Sequence, residues 1–309
     1  MKQLPPFVLL IIATLLWGGN FVMGRAVASD LPPYTLAFFR WCTAFIIFLP
    51  LALSSLKRDW QAIRQHWPIV FLMALTGVAG FNTLIYIALH YTTSINASLV
   101  NTSAPIIIYI LSFLLFRERL TANQVIGTII SMIGVIFIIS RGSFANLLSF
   151  SFNTGDLIVL VAVICWSIYS ILVKQFADRL PGTSTFLVSI FIGIFMLLPF
   201  FLYEMYQPHI VITWSFSSII AIFYTGVFAS IVAFIAWNTG VVQLGANRAG
   251  IFLNFIPVFA TLFAIVFIGE SLDLYQGIGG LFVIFGVYIS TRHSLMPRKG
   301  KTHVHHKVV

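Results

Sequence analysis

Apolar residues run along this chain in blocks of about 20, separated by short clusters of charged, polar and proline positions. The blocks fall near 5–28, 34–53, 68–89, 94–116, 122–140, 155–175, 183–203, 215–238, 246–268 and 274–291. Each is long enough to cross a bilayer as a helix, so the pattern predicts ten spans. No connection is long enough for a soluble domain. The longest, around 54–67, carries Lys57, Arg58, Asp59 and Arg64. The stretch 204–214, with Glu204, His209 and Trp214, reads as interfacial. Lys2, an apolar run and Ala26-Val27-Ala28 resemble a cleavable leader. The run is longer than the roughly 7–15 residues of a leader's apolar core, so it reads as the first span.

Composition agrees. Of 309 residues, 60% are hydrophobic and 8% charged, against about 25% charged in soluble domains. So few charges cannot cover a water-facing surface, so the solvent around most of the chain is lipid. The net charge of +9 does not point to nucleic acid, because the basic residues sit in short loops and the tail. With ten spans, 14 of 17 Lys and Arg fall on the side of both termini, leaving Arg25, Arg40 and Arg141. That bias predicts cytoplasmic termini in a cell-membrane protein. Cys42 and Cys165 lie inside apolar runs and read as packing residues.

The chain also repeats itself. An offset of 149 residues pairs Trp17 with Trp166, Arg25 with Lys174 and Pro32 with Pro181. An offset of 152 pairs Ala97 with Ala249, Pro105 with Pro257, Glu118 with Glu270, Gln124 with Gln276, Gly127 with Gly279 and Gly134 with Gly286. Five spans per copy is an odd number, so the second copy enters from the opposite side. The predicted fold class is an all-α membrane protein of ten helices in two inverted repeats, a plan of secondary transporters. The halves are residues 1–145 and 152–292, followed by a basic cytoplasmic tail at 293–309.

Trp17-Gly18-Gly19-Asn20-Phe21, Arg40, Ala97-Ser98-Leu99 to Pro105, and Arg117-Glu118-Arg119-Leu120 with Gln124, Gly127 and Gly134 resemble the EamA repeat. So does a second set, Ala249, Pro257, Gly269-Glu270-Ser271-Leu272, Gln276, Gly279 and Gly286. The chain therefore resembles an EamA-type member of the drug/metabolite transporter superfamily along nearly all its length. The resemblance implies a ten-span exporter of amino acids or related metabolites, with no nucleotide cofactor. The second copy departs from the pattern at Ser189, which aligns with Arg40.

Glu118 and Glu270 precede spans 5 and 10 and read as helix-end architecture. Thr121-x-x-Gln124 and Asp273-x-x-Gln276 form capping boxes, and each glutamate can meet the positive end of the following helix. The paired glycines are seven apart and allow close helix approach. Pro105 and Pro257 lie within spans and predict kinks. Arg40 is a charge inside a span, suited either to a substrate carboxylate or to tying helix ends together.

Buried amides need partners, so polar and aromatic intramembrane residues should face the interior. The expected cavity set is Trp17 and Asn20 on span 1, Arg40 on span 2, and Asn82 and Tyr86 on span 3. Asn101 on span 4, Trp166 and Tyr169 on span 6, Asn238 on span 8 and Asn254 on span 9 complete it. His303, His305 and His306 in the tail have no acidic or cysteine partner nearby, so no metal site is expected. No phosphate-binding Gly-rich loop occurs and no nucleophile–base set, so neither a cofactor nor enzyme activity is expected. The expected partners are a small-molecule substrate, the bilayer and a proton or counter-substrate. A non-transporting scaffold and a nucleotide-sugar or sugar-phosphate exchanger are the alternatives. The lack of clustered intramembrane basic residues weighs against the exchanger.

Overall fold

The computed structural model describes residues 4–117, 121–148, 152–208 and 210–291. Within them the chain is all helix, with no strand. Eight helices are long and apolar enough to cross a membrane. They are α1 (Pro6–Ala26), α2 (Pro33–Gln65), α3 (Trp67–Ala88), α4 (Ser94–Leu115), α6 (Thr154–Gln175), α7 (Gly182–Met205), α8 (Phe216–Leu244) and α9 (Ala246–Ile268). Two further helices, α5 (Ala122–Ile139) and α10 (Leu274–Thr291), carry shorter apolar segments at Val125–Ile139 and Leu274–Gly286. A one-turn helix, Phe144–Leu148, follows α5.

Local chemistry sets the ends. Pro6 and Pro33 occupy the first helical turn, where a missing N–H costs nothing. Thr93, Asn153 and Ser215 cap α4, α6 and α8 by accepting from Asn96 N, Gly155 N and Ser218 N. Gly245 and Gly269, both at positive φ, end α8 and α9. Helix α2 runs on to Gln65, so the charged stretch 54–67, read as a connection, is mostly helical. Lys57, Arg58 and Arg64 are exposed there, while Asp59 accepts from Ser184 Oγ of α7.

Irregular backbone recurs at matching places. Helices α3 and α8 contain π-helical segments at Ala74–Gly80 and Thr225–Val232, starting 151 residues apart. Helix α4 breaks at Thr102–Ser103, and α9 tightens to 3-10 geometry at Ile251–Asn254. Pro105 and Pro257 sit in the first turn after each irregularity, where a proline is tolerated. Side chains mend the π segments. Asn82 Nδ2 donates to Gly77 O at 3.3 Å, and Ser230 Oγ to Thr225 O at 2.9 Å.

Trp41, Trp166, Trp237 and Phe234 fill the centre and are fully buried. Large apolar side chains such as Phe195 on α7 and Phe267 on α9 instead face outward, at 59% and 73% exposure. Such a surface is stable against lipid and not against water. Helices α5 and α10 pack mainly on each other. Ser131 Oγ donates to Val283 O across that seam at 3.1 Å.

Candidate functional site

Arg40 is the most demanding residue of the interior, because it is charged and 0% exposed. Its Nη1 donates to Asn20 Oδ1 at 2.8 Å and to Tyr86 OH at 2.7 Å, its Nε to Ser230 Oγ at 2.6 Å, and its Nη2 to Ala229 O at 3.2 Å. Tyr86 OH also donates to Asn20 Oδ1 at 2.8 Å. The guanidinium stacks near Trp41 and Tyr86, at 5.1 and 5.8 Å from their ring centres. Among the described residues the single ion pair is Arg58–Asp59, so Arg40 is held by neutral oxygens and rings. It thereby ties α2 to α1, α3 and α8.

Beside this knot lies an aromatic cluster. Trp17, whose Nε1 donates to Ala229 O at 3.0 Å, sits 4.9 Å from Trp166 and 5.3 Å from Trp237, centre to centre. A small pocket between α1, α4, α6 and α9 is lined by Trp17, Asn20, Asn101 and Trp166. Asn101 Oδ1 and Trp166 Nε1 are buried there without a protein partner. On the other flank, a cavity of about 340 Å³ opens between α6, α7 and α8, within the range of about 300–1,000 Å³ usual for small-molecule sites. Phe234 separates the two. It touches Tyr169 and Phe186 of the cavity wall, and Trp17 and Trp166 of the small pocket.

The cavity is walled by apolar groups such as Phe48, Phe176 and Phe186, together with neutral polar ones: Tyr169, Thr185, Ser189, Asn238 and Gln243. Its lining contains no charged side chain. Asn238 Nδ2 and Tyr169 OH lie 2.8 Å apart. Exposed Thr183 and Gln243 stand at its mouth, at the end of the bundle carrying the α6–α7 connection.

At the opposite end, among the described residues, carboxylates tie the two halves together. Glu204 at the end of α7 accepts from Tyr34 N, Thr35 N and Thr35 Oγ1 at 2.7–3.1 Å. Glu270 accepts from Ser94 N, Ser94 Oγ and Ile95 N at 2.9–3.0 Å. Asp30 Oδ2 accepts from Ser215 Oγ, and Asp156 Oδ1 from Thr92 Oγ1 and Asn96 Nδ2. Every one of these contacts joins residues 1–145 to residues 152–292. Glu204 and Glu270 each neutralise the positive start of a distant helix, α2 and α4. Glu270 therefore serves α4 and not the helix after it, because the turn at Gly269 folds its side chain back over the bundle end. Losing either cap by substitution to Ala is expected to cost about 1–2 kcal/mol, read as a lower melting temperature of the purified protein. Unchanged melting would mean that these bonds contribute nothing to the tie between the halves.

The sequence-derived cavity set splits in four. Tyr169 and Asn238 line the large cavity. Trp17, Asn20, Asn101 and Trp166 line the small pocket. Arg40, Asn82 and Tyr86 are spent on internal bonds. Asn254 lies at the end of the 3-10 turn. Gln276 Oε1 accepts from Asp273 N at 2.8 Å, as a capping box requires. Its first-half counterpart rests on Gln124, whose side chain lies outside the described residues, as do Glu118, Arg119, Lys2, the histidines of the tail and residues 292–309 as a whole. His90 stands exposed between α3 and α4, and desolvation together with the charge of Arg25 holds it below the usual imidazole range. Ser189, Thr185, Glu204 and Asp156 were not legible as site residues, because nothing local sets an intramembrane hydroxyl or a helix-end acid apart.

A lipid-facing helical bundle with an interior cavity reached from one end suits a membrane transport protein. The family comparison agrees: the model of the EamA-like transporter family matches residues 4–140 and 153–292. The chain belongs to that family. It is 25% identical over 302 residues to the Uncharacterized transporter YyaM of Bacillus subtilis, spanning 96% of this chain and 97% of that one. It is 27% identical over 289 residues to an Uncharacterized transporter of Archaeoglobus fulgidus, spanning 92% and 96%. A solved crystal structure at 20% identity shares the fold, with a TM-score of 0.68 over 93% of this chain and 98% of its own.

Proposed function

We propose that this protein is a ten-span secondary transporter whose two five-helix halves have opposite orientation, and that it exports a small organic metabolite across the cell membrane by alternating access. The observation that carries the reading is the asymmetry of the bundle ends. One end opens onto a cavity of about 340 Å³, while at the other, carboxylates each bridge the two halves. Such halves can rock about the central aromatic cluster and exchange which end is open. The charge bias supports a cytoplasmic side for the open end and both termini, which suits loading for export. Amino acids and related compounds are the expected cargo from family membership. An uncharged lining argues against phosphorylated cargo, whose dianion would lie uncompensated in it.

The test is flux. Purified protein in liposomes, loaded with cell extract, should release one or a few metabolites that protein-free liposomes retain. Asn101→Ala and Trp166→Ala are expected to cut that flux at least tenfold with membrane expression unchanged. Unaltered flux in both variants would remove the small pocket from the pathway. Release of no metabolite at all would leave the scaffold reading in its place.

A further inference from the structure

Asn20 and Tyr169 stand 149 residues apart, as do Arg40 and Ser189, and Tyr86 and Asn238 stand 152 apart. These are the two offsets of the internal repeat. In the first half the three residues form one knot, with the Arg40 guanidinium donating to both members of the hydrogen-bonded Asn20–Tyr86 pair. In the second half the pair is present again with its two members exchanged, as Tyr169 and Asn238. The arginine is replaced by Ser189, and all three counterparts line the large cavity. The cavity therefore lies where the repeat would place a second guanidinium. Ser189 Oγ, and Thr185 Oγ1 one helical turn before it, are buried at 1% and 3% exposure and have no hydrogen-bond partner.

We propose that this cavity binds the head of an amphipathic cation rich in N–H groups, a guanidinium or amidinium on an apolar body. The head takes the place that Arg40 fills in the first half. The first half demonstrates the chemistry: a guanidinium is held there by an amide oxygen, a phenol, a serine hydroxyl and a carbonyl, with no carboxylate in contact. The second half offers the Asn238 amide, the Tyr169 phenol and the Ser189 and Thr185 hydroxyls. Phe186 and Tyr169 supply aromatic faces in the same wall, and Phe48 and Phe176 accept an apolar body. A carboxylate head has no cationic partner in this lining, so within the cargo class proposed above the site takes cationic relatives of amino acids that lack the carboxylate, and not the amino acids themselves. The inference takes the cavity to be the cargo site of the transporter proposed above.

The experiment is calorimetric titration of the purified protein with three ligands sharing one body: 2-phenylethylguanidine, 2-phenylethanol and 3-phenylpropionate. The guanidine is expected to bind saturably and at least tenfold tighter than either of the others. Ser189→Arg should abolish that binding, since a tethered guanidinium then occupies the site. Tyr169→Phe, which keeps the ring and removes the hydroxyl, should weaken it at least fivefold, and it decides the matter if Ser189→Arg does not fold. Equal or tighter binding of the alcohol or the carboxylate overturns the proposal. So does undiminished guanidine binding in Tyr169→Phe or in folded Ser189→Arg. Liposome flux separates the two claims. Guanidine binding without any solute flux removes transport and leaves the site, whereas flux of other solutes without guanidine binding removes the site and leaves transport.

Discussion

Arg40→Ala is expected to destabilise the protein by about 3–5 kcal/mol, through the void left by a large buried side chain and the buried polar groups left without their donor. The side chain is completely buried and makes four hydrogen bonds to α1, α3 and α8. Its loss opens a void and leaves Ser230 without its donor from α2. Asn20 and Tyr86 lose their common donor, in a medium where water cannot compensate. Arg40→Lys is expected to recover part of this and not all. An ammonium is a point charge and cannot reproduce the planar fork that spans Asn20, Tyr86 and Ser230 together. Unfolding in detergent, followed by tryptophan fluorescence, gives the order wild type, Lys, Ala. An alanine variant within about 1 kcal/mol of wild type would show that the knot is not a fastening.

Gly286→Val should separate α5 from α10. A Cβ on Gly286 lies 2.5 Å from both Gly127 O and Ser131 N, so it meets backbone, which cannot swing aside as a side chain can. Gly134 is similar, its added Cβ lying 2.6 Å from Gly279 O. The small residues let two backbones touch, which is how helices gain contact energy in lipid. Overpacking of this kind costs about 1–3 kcal/mol, with Val above Ala at position 286. Gly277→Ala is the matched control on the same helix. Nothing lies within 4 Å of its added Cβ, so it should leave stability unchanged or raise it by up to about 1 kcal/mol through helix propensity. If Gly286→Val and Gly277→Ala melted together, the seam would carry no weight.

Much of this was legible from sequence. Hydropathy placed the eight helices that are long and apolar enough to cross a membrane, because a helix surrounded by lipid must be apolar over about 20 residues wherever it packs. The glycine pairs were read as a helix seam, and Gly134 and Gly286 lie at the α5–α10 contact. The placement of Glu270 was only half legible. Its position at a helix end could be read from the motif, but the end it serves belongs to α4, 176 residues away from it in the chain.

The sequence by itself determined that the chain lives in a membrane, where its helices run, and that it repeats. These follow from solvent and period, which act on each segment separately. The tertiary structure alone decided that Arg40 is tied down by neutral oxygens, that carboxylates bridge the two halves at one end of the bundle, and that Tyr169, Ser189 and Asn238 face one cavity. The physical reason is that in lipid every interior polar group must find a partner somewhere, but which partner depends on helices brought together from distant parts of the chain.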